Sequence, residues 1–134
     1  MGIYREVQNL LLAQKEFVDA HDEAQLTGCY WPEMVLETRF NAAPPQIIES
    51  RDAVLLHITA GWADANRPEI VHFVGPAAVE EHGADRVIAK STCLFINGAD
   101  GTVLGWGSYR DTLDRRNGVW KLSHRAVDST FLPK

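Results

Sequence analysis

The chain has 134 residues, a formal net charge of −5 and two cysteines. This length suits one domain over residues 1–134 that buries its own core and needs no disulfide framework. The positive charges are scattered, which argues against nucleic acid as a partner, and no apolar run approaches the roughly 18 residues of a membrane span. Because Cys29 and Cys93 lie far apart, we expect free thiols and a cytoplasmic protein without a membrane partner.

Helical spacing of apolar residues marks the first half of the chain. It predicts a helix over residues 4–20, and Gln14 falls on the apolar face of that helix, toward the core or a cavity. Asp22 is predicted to cap a short second helix. A strand is expected over residues 34–40, and Ser50 is predicted to cap a third helix that runs to about residue 66.

Strand patterns occupy the second half of the chain. The expected strands cover residues 70–80, 86–96, 102–114 and 119–131. Helices first and strands later predict an α+β fold, in which a curved antiparallel sheet and N-terminal helices enclose a pocket. Between the last two strands, Asn117-Gly118 predicts a two-residue type I′ turn, because both central positions of that turn need positive φ.

A two-residue turn fixes the register of the last hairpin. The predicted pairs are Leu113 with Leu122, Asp111 with His124, and Tyr109 with Ala126. The same alternation puts Trp120 on the concave face with Tyr109, and it puts Arg110 and Arg125 on the opposite face. We expect Asp111 and His124 to line the pocket rather than to act in catalysis.

The concave face is expected to enclose a preformed, largely apolar cavity. Its expected wall and floor residues are Leu11, Phe17, Val18, Trp62, Tyr109, Leu113 and Trp120. On the outer face, groups such as Trp106 and Val127 would be exposed in a monomer, so we expect a homodimer or a higher homo-oligomer formed through that face.

Three segments carry a resemblance to a known family: FVDAHDEAQLTGCYWPEMVLETRF, IVHFVGP and YRDTLDRRNGVWKLSHR. Together with the order of predicted elements, they are similar to the SnoaL-like family of the nuclear-transport-factor-like superfamily, and in particular to relatives of scytalone dehydratase and hexachlorocyclohexane dehydrochlorinase. The resemblance covers nearly the whole chain. It implies a cone-shaped α+β fold around a pocket.

The resemblance also implies a catalytic pair. In those enzymes an aspartate at the end of the first helix orients a strand histidine, which acts as a general base on a C–H next to a leaving group or a carbonyl. Asp19 matches the aspartate and His72 matches the histidine. Other positions depart from the pattern, since Gln14 and Thr38 stand where relatives have tyrosines, and Tyr109 replaces an asparagine of scytalone dehydratase. The substrate of that enzyme is therefore not implied.

Physical arguments for the same pair come from its positions. A carboxylate near a helix C-terminus meets the negative end of the helix dipole, which costs about 0.3–1 kcal/mol, and Asp19 has no visible structural role to offset that cost. Histidine titrates near neutral pH and suits proton abstraction. The alternatives are a solvated Asp19 and a His72 that is an ordinary core or edge residue of its strand.

Two functions remain open at this point. The first is a cofactor-independent lyase or isomerase, dehydratase-like, acting on a small hydrophobic molecule that we expect to be cyclic. Its catalytic residues would be Asp19 and His72. Its substrate-binding residues would be Gln14, Trp62, Tyr109, Asp111, Trp120 and His124. No phosphate-binding glycine loop or metal-ligand spacing is present, so we expect no cofactor and no metal.

The second function is a non-catalytic module of the same fold that binds a small molecule or supports the assembly of a partner. A lyase needs an open cavity with Asp19 and His72 in contact, whereas a scaffold could fill its cavity with aromatic side chains. An epoxide hydrolase is a weaker alternative, because it would need an arginine and a further acid in the pocket.

Overall fold

The computed structural model describes residues 2–133. Its helices are α1 (Ile3–Asp19), α2 (Glu23–Thr27) and α3 (Arg51–Ala63). Its strands are β1 (Tyr30–Phe40), β2 (Gln46–Glu49), β3 (Ile70–Val74), β4 (Ala78–Glu81), β5 (Arg86–Asn97), β6 (Val103–Arg116) and β7 (Val119–Phe131). No helix within the described residues has the length and apolarity that a membrane crossing would need.

Both predicted helix caps are present. The Asp22 carboxylate accepts the backbone N–H of Gln25 at 3.2 Å and its side-chain amide at 2.9 Å. The Ser50 hydroxyl accepts the backbone N–H of Ala53 at 3.2 Å. In each case a side-chain oxygen satisfies an N–H group that the first helical turn leaves unpaired, so local chemistry starts the helix where the sequence predicts.

The sheet is mixed rather than antiparallel throughout. Its strands lie in the order β2-β1-β7-β6-β5-β3, and β4 pairs with β5. The pair β1–β7 is parallel, whereas the other pairs are antiparallel. Helices α1 and α3 pack on the concave side, where α1 contacts β3 and β7 and α3 contacts β1. The predicted α+β fold, with N-terminal helices against a curved sheet, is confirmed.

The last hairpin follows the prediction only near its turn. Asn117 and Gly118 have φ angles of 51° and 77°, and Leu113 lies opposite Leu122. One extra residue in β7 then shifts the register between Thr112 and Leu113. Beyond this β-bulge the observed pairs are Thr112 with His124, Asp111 with Arg125, and Tyr109 with Val127. The predicted pairs of Asp111 with His124 and of Tyr109 with Ala126 are therefore wrong.

The bulge exchanges the two faces of β7. Because successive side chains of a strand alternate, one extra residue turns every later side chain to the other face. Arg125 and Val127 consequently line the concave side, and the Arg125 guanidinium carbon lies 4.4 Å from the centre of the Tyr109 ring. The predictions that Arg125 faces away from Tyr109 and that Val127 belongs to the outer face are wrong.

Candidate functional site

A cavity of about 580 Å³ lies between the helices and the concave face of the sheet. Four of the seven expected wall residues line it: Leu11, Val18, Trp62 and Tyr109. The other three do not: Phe17, Leu113 and Trp120. Among the lining residues, the rings of His21 and Trp62 stack with their centres 4.6 Å apart. The aromatic side chains leave the cavity open instead of filling it.

His72 lines this cavity and contacts Asp19, which is not itself one of the lining residues. Asp19 is the last residue of α1, and the alternation of β3 turns His72 inward together with Ile70 and Val74. The Nδ1 atom of His72 lies 2.7 Å from Oδ1 of Asp19. The backbone N–H of His72 donates to the same carboxylate at 3.2 and 3.3 Å, and Lys15 Nζ lies 3.2 Å from Oδ2.

The surroundings of Asp19 favour its ionised form. Partial burial acts to raise the pKa of this carboxyl group, but the hydrogen bonds and charge of His72 outweigh burial, with a further contribution from Lys15, and the net pKa lies below its ordinary value. An ionised Asp19 accepts a hydrogen bond and places the proton of a neutral His72 ring on Nδ1.

That tautomer leaves Nε2 of His72 with a free lone pair. The His72 and Phe95 rings are nearly perpendicular, with ring centres 5.5 Å apart at an angle of 89°, and both residues line the cavity. Within residues 2–133, Nε2 has no hydrogen-bond partner. A lone pair beside a cavity, on a ring held by a carboxylate, is the arrangement of a general base.

A second polar cluster, formed by Gln14, Tyr30, Asp111 and Arg125, lies across the base of the cavity. Arg125 donates from Nε and Nη2 to Asp111 at 2.7 and 3.0 Å, and from Nη1 to Gln14 Oε1 at 3.0 Å. Gln14 donates from Nε2 to the Tyr30 hydroxyl at 2.9 Å. Gln14, Tyr30 and Arg125 line the cavity, whereas Asp111 lies behind Arg125.

Burial controls the charges of this cluster. The side chain of Asp111 is 0% exposed and that of Arg125 is 11% exposed. Burial alone would lower the pKa of Arg125, but the charge and hydrogen bonds of Asp111 raise it above its usual range, so Arg125 keeps its positive charge beside the Asp111 carboxyl group. Burial raises the pKa of Tyr30 to about 12, and it raises the pKa of Tyr109 well above its ordinary value.

Three of the predicted substrate-binding residues do not line the cavity, and the first of them is Asp111, which lies behind Arg125, so the prediction that it lines the pocket is wrong. His124 is turned to the outer face by the bulge, where its Nε2 lies 3.4 Å from a Glu37 carboxylate oxygen. Trp120 precedes the bulge and packs in the core, with Arg115 5.0 Å from its ring centre. Trp62, Tyr109 and Gln14 do line the cavity.

Sequence reasoning missed Tyr30 and placed Arg125 on the wrong face. Tyr30 begins β1, four residues before the predicted start of that strand. Its contact with Gln14 joins the start of β1 to helix α1, which lies earlier in the chain, and no local sequence pattern indicates such a contact. The face of the sheet on which Arg125 lies depends on the bulge, and the alternation of apolar and polar residues in the sequence does not reveal a bulge.

These features define the α+β fold that is also found in solved structures described as nuclear-transport-factor-like and cystatin-like. Residues 3–126 match the SnoaL-like domain, and the chain belongs to the SnoaL-like family. No curated protein matches the chain significantly.

Three solved structures illustrate the likeness. LinA is 20% identical, with a TM-score of 0.75 over 97% of this chain and 93% of LinA. A provisionally assigned scytalone dehydratase from Novosphingobium aromaticivorans is 16% identical, with a TM-score of 0.73 over 95% of this chain and 83% of its own. The beta subunit of a provisionally assigned aromatic-ring-hydroxylating dioxygenase from the same organism is 16% identical, with a TM-score of 0.77 over 96% and 90%. Such identities establish the fold alone.

Proposed function

We propose that this protein is a cofactor-independent lyase or isomerase, dehydratase-like in its chemistry, that acts on a small hydrophobic, cyclic molecule. The observation that carries the proposal is the 2.7 Å contact between His72 Nδ1 and Asp19 Oδ1 at the cavity wall. A carboxylate in this place stabilises the imidazolium ion that forms when Nε2 accepts a proton.

In the proposed reaction, Nε2 of His72 removes a proton from a substrate carbon. The electron pair of that C–H bond forms a double bond. In a lyase the bond from the neighbouring carbon to the leaving group breaks, and a departing hydroxyl group keeps that electron pair and takes the proton back from His72 Nε2, which gives water and a neutral His72. In an isomerase the proton returns from His72 to another carbon of the same substrate. Asp19 keeps its negative charge throughout and holds the ring in place.

The walls of the cavity support a flat hydrophobic substrate. Trp62 and Tyr109 present aromatic surface from opposite sides, one from α3 and one from β6. Gln14 and Arg125 are polar residues of the lining that bond to each other, and Asp111 holds Arg125 in position. An apolar cavity with a few fixed polar groups is typical of small-molecule sites.

The test is proton exchange in heavy water. The protein is incubated with α-tetralone, a bicyclic ketone with acidic C–H groups, and deuterium incorporation beside the carbonyl is followed by NMR. We expect exchange above the buffer rate, and a loss of roughly a hundredfold or more in His72→Gln and Asp19→Asn. His82→Gln is the matched control, because His82 is half exposed and bonds Glu80 on another edge of the sheet.

Buffer-rate exchange by the wild-type protein with α-tetralone and with further cyclic ketones would contradict the proposal, and so would exchange that survives in His72→Gln. Circular dichroism of each variant shows whether lost exchange reflects lost folding. Ligand binding without exchange would identify the alternative, a non-catalytic binding or assembly module.

The likeness to a dioxygenase beta subunit favours that alternative. The open cavity with a paired His72 favours catalysis, since a scaffold has no need for either feature. The epoxide hydrolase alternative now has its arginine, because Arg125 lines the cavity. It still lacks a free acid beside that arginine, because Arg125 occupies both oxygens of Asp111.

A further inference from the structure

The direction of the hydrogen bonds at the cavity base is fixed by chemistry. A guanidinium group only donates hydrogen bonds. The Gln14 atom that faces Arg125 must therefore be the acceptor oxygen, Oε1. The other end of the same amide, Nε2, must then face Tyr30, and an amide NH₂ group only donates. Tyr30 consequently accepts this bond with its hydroxyl oxygen.

A tyrosine that accepts from Gln14 still has its own hydroxyl hydrogen to donate. Within residues 2–133, no side-chain or backbone atom accepts that hydrogen. Tyr30 is only 1% exposed and lines the cavity beside Gln14. Because buried donors are almost always satisfied, the acceptor that completes this site comes from whatever occupies the cavity.

We infer that the Tyr30 hydroxyl is a substrate-binding donor, and that it takes the neutral carbonyl oxygen of a ketone. The inference rests on the proposed function. Arg125 and Gln14 are positioning residues, because they set the direction in which Tyr30 donates.

The charge balance favours a neutral ligand oxygen over a carboxylate. The positive charge of Arg125 is already matched by Asp111, with both oxygens of the carboxylate engaged. An anionic ligand would therefore lose its hydration without a free countercharge at this base. A carbonyl loses much less on desolvation and needs one good donor.

Tyr30 would act as a hydrogen-bond donor and not as an acid. Burial raises its pKa to about 12, so it keeps its proton. When His72 Nε2 takes the proton from the carbon next to the carbonyl, the C–H electron pair moves toward the carbonyl oxygen, and an enolate forms. The Tyr30 hydrogen bond strengthens as negative charge grows on that oxygen. No proton leaves Tyr30 in this step.

The first test uses the fluorescent ketone Prodan, whose emission moves to longer wavelength when its carbonyl accepts a hydrogen bond. N,N-dimethyl-β-naphthylamine has a similar ring system without the carbonyl. We expect the wild-type protein to bind Prodan with shifted emission. Tyr30→Phe should weaken Prodan binding by roughly five- to tenfold and reverse the shift, without changing the affinity for the carbonyl-free compound. Tyr4→Phe is the control, because Tyr4 is 54% exposed.

The second test changes the direction of the Tyr30 bond without touching Tyr30. In Gln14→Glu, one carboxylate oxygen accepts from Arg125 and the other accepts the Tyr30 hydroxyl hydrogen, which removes the donor from the cavity. In Gln14→Met, neither bond forms and the Tyr30 hydrogen stays free for the ligand. We therefore expect Gln14→Glu to resemble Tyr30→Phe, and Gln14→Met to keep the shifted Prodan emission.

Equal behaviour of the two Gln14 variants would overturn the inference, since a purely structural role of Gln14 predicts it. So would wild-type binding that does not prefer Prodan over the carbonyl-free compound. If Gln14→Glu fails to fold, the comparison of Prodan binding by Tyr30→Phe with Prodan binding by Tyr4→Phe decides whether Tyr30 is the donor. Failure of the Tyr30 inference can be distinguished from failure of the proposed lyase or isomerase function. Exchange that persists in Tyr30→Phe would refute the inference alone, and a Tyr30-dependent Prodan shift without any exchange would refute only the lyase or isomerase.

Discussion

Asp19 occupies an unfavourable position that its neighbours make favourable. At the last residue of α1 the helix dipole opposes a negative charge, at a cost of about 0.3–1 kcal/mol. Three donors offset that cost: the His72 ring, the His72 backbone N–H and Lys15. The carboxylate is thus held by the strand and not by its own helix. This explains how a poor helix-end residue in the sequence can indicate a site.

Buried tyrosines should make the protein less stable at high pH. The pKa of Tyr30 is raised to about 12 and that of Tyr109 is also raised, whereas an unfolded tyrosine ionises at about pH 10. The folded state therefore binds more protons between these values, and the free energy of unfolding falls as the pH rises through them.

The measurement is the phenolate absorbance in the near ultraviolet at about pH 11, with and without urea. We expect a large rise when urea unfolds the protein, and a rise smaller by roughly half in Tyr30→Phe. Phenolate absorbance that is already complete in the native protein would show that these rings are accessible to solvent.

The ion pair of Arg125 and Asp111 should be costly to break from one side. Arg125→Met leaves the Asp111 carboxylate fully buried without its partner, so we expect a loss of about 3–5 kcal/mol in the free energy of unfolding. The double variant Asp111→Leu/Arg125→Met should recover most of that loss. Arg110→Met is the control, because Arg110 is exposed on the other face of β6. Equal urea midpoints for Arg125→Met and Arg110→Met would contradict the argument.

The caps and the turn of the secondary-structure elements are predictable from the sequence, whereas the pairing of strands that are distant in the chain is not. The caps at Asp22 and Ser50 and the turn at Asn117-Gly118 each depend on a few neighbouring atoms, and the sequence predicts all three. The parallel pairing of β1 with β7 brings together strands from opposite ends of the chain. The segment at residues 46–49 forms β2 by pairing with the edge of β1.

Because of the bulge in β7, two single-residue deletions in this strand should differ in how much they lower the free energy of unfolding. Ser123 is the extra residue, so its deletion leaves Leu122 and Arg125 facing inward and His124 facing outward. Deletion of Ala126 instead turns Val127 and all later residues to the wrong face. We expect the first deletion to cost about 1–2 kcal/mol and the second more than about 4 kcal/mol.

Urea unfolding of the two deletion variants measures this difference. Each variant lacks one residue of the same strand, so chain length and hairpin entropy are matched. Similar destabilisation by both deletions would mean that the bulge contributes more than its effect on the facing of side chains.

For the molecule as a whole, the sequence predicts the class of fold and the contact of two distant residues, but not the contents of the cavity. Asp19 and His72 were paired through the resemblance to a family. Tyr30 and Arg125 reach the cavity through strand pairing and a bulge, whereas Trp120 packs in the core. The cavity is assembled from side chains that are distant in sequence, so its chemistry depends on registers that no single segment encodes.

The outer face of the sheet carries an apolar patch formed by Phe73, Leu94 and Trp106. These residues occupy adjacent strands in register, with Phe73 opposite Leu94 and Leu94 opposite Trp106. They are 65%, 40% and 48% exposed. Monomeric proteins rarely expose a contiguous patch of this kind, and a two-fold axis through it would let each copy cover the other.

We expect this patch to form a homodimer at micromolar concentration. Trp106→Lys and Phe73→Lys place a charge in the apolar contact, so each should weaken the dimer at least about tenfold without unfolding the protein. The matched control is Leu56→Lys, because Leu56 is an apolar residue of α3 that is 71% exposed and lies outside the sheet. Size-exclusion chromatography with light scattering measures the mass of each variant. A wild-type mass of one chain at micromolar concentration would refute the homodimer, and a dimer that survives Trp106→Lys but not Leu56→Lys would place the interface on the helical side.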